Sequence, residues 1–171
     1  MCKPFLNIDE RLWNLYNYND KKYIGSVNII AVKRISDVGR GEYDESYAIV
    51  RSMKSQSDWL IQEPLLSPSK DLFFKYLSLK KAGKWDQQAF DSIYVPQFIR
   101  ELKSNPAALK KLNELFGKSK EGRNIALCCF CPTEELCHRA IIAGLFQGVG
   151  ADVEVGADYS RYYNYYRNLL V

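Results

Sequence analysis

Ile125-Ala-Leu-Cys-Cys-Phe-Cys-Pro-Thr-Glu-Glu-Leu-Cys-His-Arg139 reads as a strand that runs through a turn into a helix. Alternation sends Ile125, Leu127 and Cys129 to one face and Ala126, Cys128 and Phe130 to the other. Both sets are apolar, so the strand from Arg123 to Phe130 is expected inside a sheet covered on both sides, the habit of parallel sheets. The helix after it is expected from Thr133 to about Gly148. Ala151-Asp-Val-Glu-Val155 then reads as a strand pairing in parallel through that crossover.

Working outward, Tyr23 to Lys33 is β-branched and mostly apolar and reads as the first core strand. Residues 2 to 22, with Trp13, Tyr16 and Tyr18, suit a short helix or an ordered arm. The pattern from Tyr43 to Glu63 is mixed, with a short strand expected at Trp59 to Ile61. Ser67 is expected to cap a helix that starts at Pro68, turns Leu72, Phe73, Tyr76 and Leu77 to one face, and stops near Gly83. Trp85, Phe90, Ile93, Tyr94, Phe98 and Leu102 form a second helical stripe, kinked around Pro96 and read as core. A third helix is expected from Pro106 to Phe116, capped by Asn105 or Ser104 and ended by Gly117. Strands alternating with helices give an α/β, Rossmann-like fold with a mostly parallel sheet and flanking helices. A single domain is expected over residues 1–171, with the core at 24–155, the arm at 1–22 and a Tyr-rich segment at 158–171.

The chain has 171 residues, 47% of them hydrophobic and 26% charged, an ordinary globular composition. A domain of that length buries roughly 70% of the surface its unfolded chain exposes. Twenty-four Lys and Arg against 20 Asp and Glu leave a net charge of +4, enough to favour an anionic ligand and too little for a nucleic-acid footprint. No run of some 18 apolar residues and no signal-peptide pattern occurs, so a cytoplasmic protein with no membrane partner is expected. Five cysteines, four of them within ten positions, point to free thiols in a reducing compartment rather than a disulfide framework.

Three chemistries compete at the cysteine-histidine stretch. Cys131 at the strand end and Cys137, His138 and Arg139 in the opening turns of the helix are expected to face one cavity, while Cys128 and Cys129 read as packing. The preferred chemistry is anion binding, with Arg139 supplying a planar fork of donors and His138 a switchable one. A metal site built on Cys129 or Cys131, Cys137 and His138 ranks lower, because the spacing lacks paired knuckles. Nucleophilic catalysis by Cys137 or Cys131 with His138 as base ranks level with it, since neighbours on a helix reach each other poorly. No cofactor and no bound metal are expected. Upstream, Lys33 and Arg34 end the first strand and lead into a loop with Asp37, Gly39, Arg40 and Gly41. A solvated turn is the plainer reading of that loop, although an anion would meet it at the strand ends.

The segment Leu127-Cys128-Cys129-Phe130-Cys131, then Cys137-His138-Arg139 and Ala140-Ile-Ile-Ala143, resembles the bacterial and phage family of domain-of-unknown-function 488 (DUF488). The resemblance runs over roughly residues 24 to 150, with weaker support from Leu66-Ser-Pro-Ser69, Lys84-Trp85, Phe90 and Tyr94. Several members carry a glutamate where this chain has Cys131, and an arginine of their first strand is matched loosely by Arg34. The resemblance implies a Rossmann-like domain with a polar pocket at the strand ends, in the company of nucleotide or nucleic-acid metabolism.

The function expected is therefore binding of a small phosphate-bearing, nucleotide-type ligand through Arg139, His138, Arg34 and Arg40, with Cys131 in the pocket. Sequestration of a nucleotide signal would be a natural specialisation in a phage. Tyr162 and Tyr166, from the run Tyr159 to Tyr166, are assigned to base stacking. Packing of those tyrosines on the core or on a second subunit is the simpler alternative. Hydrolysis or modification of a nucleotide or nucleic acid by Cys137, His138 or Asp37 is the enzymatic alternative. Direct nucleic-acid binding stands behind both.

Overall fold

The computed structural model describes residues 29–55 and 57–169. The expected arm at 1–22 and the first residues of the expected strand at 23–28 lie outside them. Five strands, β1 (Ile29–Arg34), β2 (Glu45–Ala48), β3 (Leu60–Gln62), β4 (Ile125–Cys129) and β5 (Asp152–Glu154), form one sheet in the order β3-β2-β4-β1-β5. Every pairing is parallel. The helices are α1 (Lys70–Lys81), α2 (Val95–Lys103), α3 (Pro106–Lys120), α4 (His138–Gly148) and α5 (Arg161–Asn168). The fold is α/β and Rossmann-like.

β4 is central and buried along its whole length, as its apolar faces require. It pairs β1 with Val32 beside Leu127 and Arg34 beside Cys129, and β2 with Tyr47 beside Leu127. β2 was hidden in the mixed stretch because Glu45, Ser46, Tyr47 and Ala48 are only four residues and two are polar. Ser46 is nevertheless buried.

Local chemistry moves several helix ends from their expected places. Pro68 holds Ser67 extended, and Ser67 closes a short 3-10 turn by donating its hydroxyl to the Pro64 carbonyl at 2.7 Å. Ser69 is therefore the cap of α1, accepting from the Leu72 amide at 3.1 Å. The glycine stop holds, with Gly83 at φ 66. Asn105 caps α3, its Oδ1 accepting from the Ala107 and Ala108 amides. That helix runs past Gly117 to Lys120, because Ser119 is buried on its inner face and Lys118 is held by acidic partners. Between Trp85 and Leu102 the expected kinked helix is a short turn at Gln87–Ala89, a π-helical turn at Phe90–Tyr94, and α2, which has Pro96 in its first turn.

α4 starts at His138, five residues later than expected. The Cys137 amide bonds the Glu134 carbonyl at 3.1 Å in a tight turn, and Cys137 itself is extended at φ −129. Glu134 is pulled aside, accepting from the Gly156 amide and the Tyr159 hydroxyl, both at 2.9 Å. α5 then docks on α4 at very short range. A Cβ added to Gly144 would lie 2.1 Å from the Tyr159 carbonyl oxygen, and one on Gly148 would lie 2.2 Å from the Tyr163 side chain.

At the amino ends of the strands the polar groups close on one another. Lys118 donates to Glu45 at 2.7 Å and to the Tyr47 hydroxyl at 3.0 Å, and pairs with Glu114 at 3.1 Å. Tyr47 donates to Glu45 in turn. Asp44 accepts from the Asn124 amide at 2.8 Å, and the Asn124 side chain accepts from the Ile29 amide at 3.3 Å.

Candidate functional site at the carboxyl edge of the sheet

The chain leaves β1 toward β2, beyond β4, and leaves β4 toward β5, beyond β1. These two connections cross rather than diverge; the switch point, where the connections out of β2 and β4 part to opposite sides, lies between β2 and β4, and beside it stand the carboxyl ends of β1 and β4. A cleft of about 450 Å³ opens there, lined by Lys33, Arg34 and Asp37 after β1 and by Pro132, Glu134 and Arg139 after β4. Lys33 is paired with Glu154 across it. Arg139 is 3% exposed, and its Nε and Nη1 have no hydrogen-bond partner among the described residues. Buried guanidinium nitrogens left without partners are costly.

On the other side of the β4 end, toward β2, lies a larger cavity of about 510 Å³. Phe73, Phe74 and Tyr76 of α1 wall it with Trp85 and Tyr94, and Arg51 and Lys70 also line it. Cys129, Cys131, Cys137 and His138 complete the lining. A family model for the active DUF488-N3 subclade, DUF488-N3a, matches residues 29–150 and thus spans β1 to the end of α4. The chain belongs to the DUF488 family. No curated protein and no solved structure matches it.

The structure divides the residues that the sequence grouped at one cavity. Cys131, Cys137 and His138 of the DUF488 domain line the aromatic cavity, whereas Arg139 lines the cleft on the far side of the β4–α4 connection, with Arg34 and Asp37. Arg40 lines neither, being paired with Asp58 in solvent. The assignment of Tyr162 and Tyr166 to base stacking is corrected, because their residues are 3% and 2% exposed. Tyr162 packs edge-on against Phe90 and stacks on Tyr159, and Lys103 sits over the Tyr166 ring at 4.8 Å. The available aromatic faces belong to Phe73 and Phe74, 40% and 51% exposed, which the sequence pattern had partly assigned to the core.

Cys129 also changes role. Its sulfur lies with those of Cys131 and Cys137, all three within 4.8 Å of one another, while Cys128 packs in the core. The Cys-X-Cys spacing carried this signal, because strand alternation puts residues 129 and 131 on one side. Cys129 donates to Cys131 at 3.5 Å. Hydrogen bonds from Cys129 and Cys137 hold the Cys131 thiol far below its ordinary range, with help from the charge of Arg139. The same bond to Cys131 pushes Cys129 up to about 11, and burial drives Cys137 upward. Burial raises Cys128 to about 12, which keeps it an inert thiol. Cys131 is the most exposed of the three.

His138 is buried, which lowers its pKa and keeps the ring neutral. Its Nε2 donates to the Ile49 carbonyl at 2.8 Å, which leaves Nδ1 bare and facing the Cys137 sulfur at 3.6 Å. Phe98 meets the ring edge-on. Among the described residues no helix is long and apolar enough to cross a membrane.

Proposed function

We propose that this DUF488 chain binds a small phosphate-bearing, nucleotide-type ligand across the carboxyl edge of its sheet. The anionic group pairs with Arg139 in the cleft between β1 and β4, beside Arg34, and the base lies against Phe73 and Phe74 in the neighbouring cavity. The observation that carries this reading is the buried Arg139 guanidinium with two nitrogens unpartnered among the described residues, in the cleft at the carboxyl ends of β1 and β4. His138 and Cys131 bound the base side of the site rather than contact the phosphate.

Calorimetry with inorganic phosphate, a nucleoside and a panel of mono-, di- and cyclic nucleotides tests both halves of the site. Nucleotides binding more tightly than either fragment, and Arg139→Ala removing the phosphate-dependent part, is the expected result. Equal affinity for nucleoside and nucleotide refutes the assignment of Arg139.

A hydrolytic reading is second, because Asp37 lines the same cleft as Arg139 and offers a carboxylate to activate water. Releasing bound ligand by heat and identifying it separates the two. Intact ligand is expected for a sequestering protein, and a product whose formation is lost in Asp37→Asn marks an enzyme.

A further inference from the structure

The three converging thiols are not needed for anion binding, and their geometry points to a separate chemistry. Cys129 and Cys131 come from the end of β4 and Cys137 from the turn before α4, so two separate segments bring the sulfurs within 4.8 Å of one another. Tetrahedral zinc with Zn–S bonds of about 2.3 Å needs sulfurs about 3.8 Å apart. The 3.5 Å between Cys129 and Cys131, and the 4.8 Å limit on the rest, bracket that spacing.

The surroundings suit a cation held by thiolates. Cys137 is the N-cap of α4 yet makes no side-chain cap, so its sulfur is turned from the helix amides toward the cluster. The trio stands at the start of an eleven-residue helix, whose positive end offsets the surplus negative charge of three thiolates on a divalent ion. The bond from His138 Nε2 to the Ile49 carbonyl is the outer contact that fixes a ring beside a metal ligand. All three cysteines line the 510 Å³ cavity.

We propose that Cys129, Cys131 and Cys137 form a three-thiolate zinc site whose fourth position opens into the aromatic cavity. The open position takes water or a donor atom of whatever occupies the cavity, the arrangement of reactive rather than purely structural zinc. His138, its ring held through Nε2, stands beside Cys137 and is not itself a required ligand. Packing alone explains Cys128, buried in the core and outside the cluster, but gives no reason for three sulfurs from two segments to meet at a cavity wall. The proposal goes beyond the nucleotide reading and stands or falls without it.

The test uses the full chain, reduced, stripped of metal, and titrated with Co²⁺ and then Zn²⁺ in the absence of nucleotide. One Co²⁺ per chain, with intense thiolate-to-cobalt charge-transfer absorption that Zn²⁺ displaces, is expected. Cys131→Ser, at the least buried of the three positions, should fold by circular dichroism and lose that absorption. A folded Cys131→Ser that keeps the absorption overturns the site, as does wild type that shows none. Cys129→Ser and Cys137→Ser sit in the core, so alkylation of wild-type protein read by peptide mass spectrometry supplies an independent arm. Zn²⁺ should stop labelling of Cys131, and labelling at the same rate with and without Zn²⁺ refutes the proposal.

Discussion

The two ends of the sheet are built on opposite terms. At the amino ends, Glu45, Tyr47, Lys118 and Glu114 satisfy one another, and Asp44 and Asn124 tie β2, β4 and the start of β1 together. At the carboxyl ends, two cavities flank β4, a buried arginine has two nitrogens without partners among the described residues, and Phe73 and Phe74 stand exposed. Both ends belong to the same strands, so the difference lies in what the loops do with them. One end spends its polar groups on one another, and the other leaves buried polar atoms without partners among the described residues.

Substitutions at the two ends should therefore separate cleanly. The largest effect is expected for Arg139→Ala, which should weaken nucleotide binding about 100-fold, since hydrogen bonds to a charged group contribute about 1.5–3 kcal/mol each. Its melting temperature should hold, because a buried charge without partners stabilises little. Calorimetry and thermal melts together check this, and a large fall in melting temperature would blur the contrast. Phe73→Ala with Phe74→Ala should cost roughly tenfold in nucleoside affinity, in line with about 1–3 kcal/mol per stacked base. Neither change should lower stability measurably, as both rings are exposed.

Lys118→Ala should do the reverse. It should reduce unfolding stability in urea by about 1–2 kcal/mol by leaving Glu45 and Tyr47 without their shared donor, with ligand affinity unchanged. A smaller effect concerns pH. Burial acts to raise the Glu45 carboxyl, but hydrogen bonds from Lys118 and Tyr47 outweigh it and hold the group below the ordinary glutamate range. A carboxyl lowered in the folded state contributes stability above its unfolded value and loses it as the pH falls through the folded one. Thermal melts from about pH 3 to 6, spanning the ordinary glutamate value, should show an acid limb that Glu45→Gln flattens. An unchanged limb in that variant removes Glu45 from the account.

The amino-acid pattern made most of the sheet legible because burial on both faces forces continuous apolar runs, as in Ile125 to Cys129. β2 escaped because its pairing is carried by backbone bonds beneath a polar Glu45 and Ser46, which no hydropathy pattern reports. Caps were legible where one side chain could do the work, as at Asn105, and misplaced where two serines competed around Pro68. Cys131, Cys137, His138 and Arg139 were expected to face one cavity and line two, because Cys137 is extended and α4 starts only at His138, which aims neighbouring side chains to opposite sides of the β4–α4 connection. The tyrosines were misassigned because a stripe on a short helix looks the same whether it meets a base or the core.

The close approach of α5 to α4 bears on which changes this chain can accumulate. Gly144 and Gly148 face backbone and ring atoms of Tyr159 and Tyr163, so almost any replacement there must push the C-terminal helix outward. Gly117, in the last turn of α3, meets nothing within 4 Å. Drift should therefore leave the first two positions untouched and roam freely at the third, and a saturation library sorted for folded protein would read out the helix contact as two silent columns beside a permissive one.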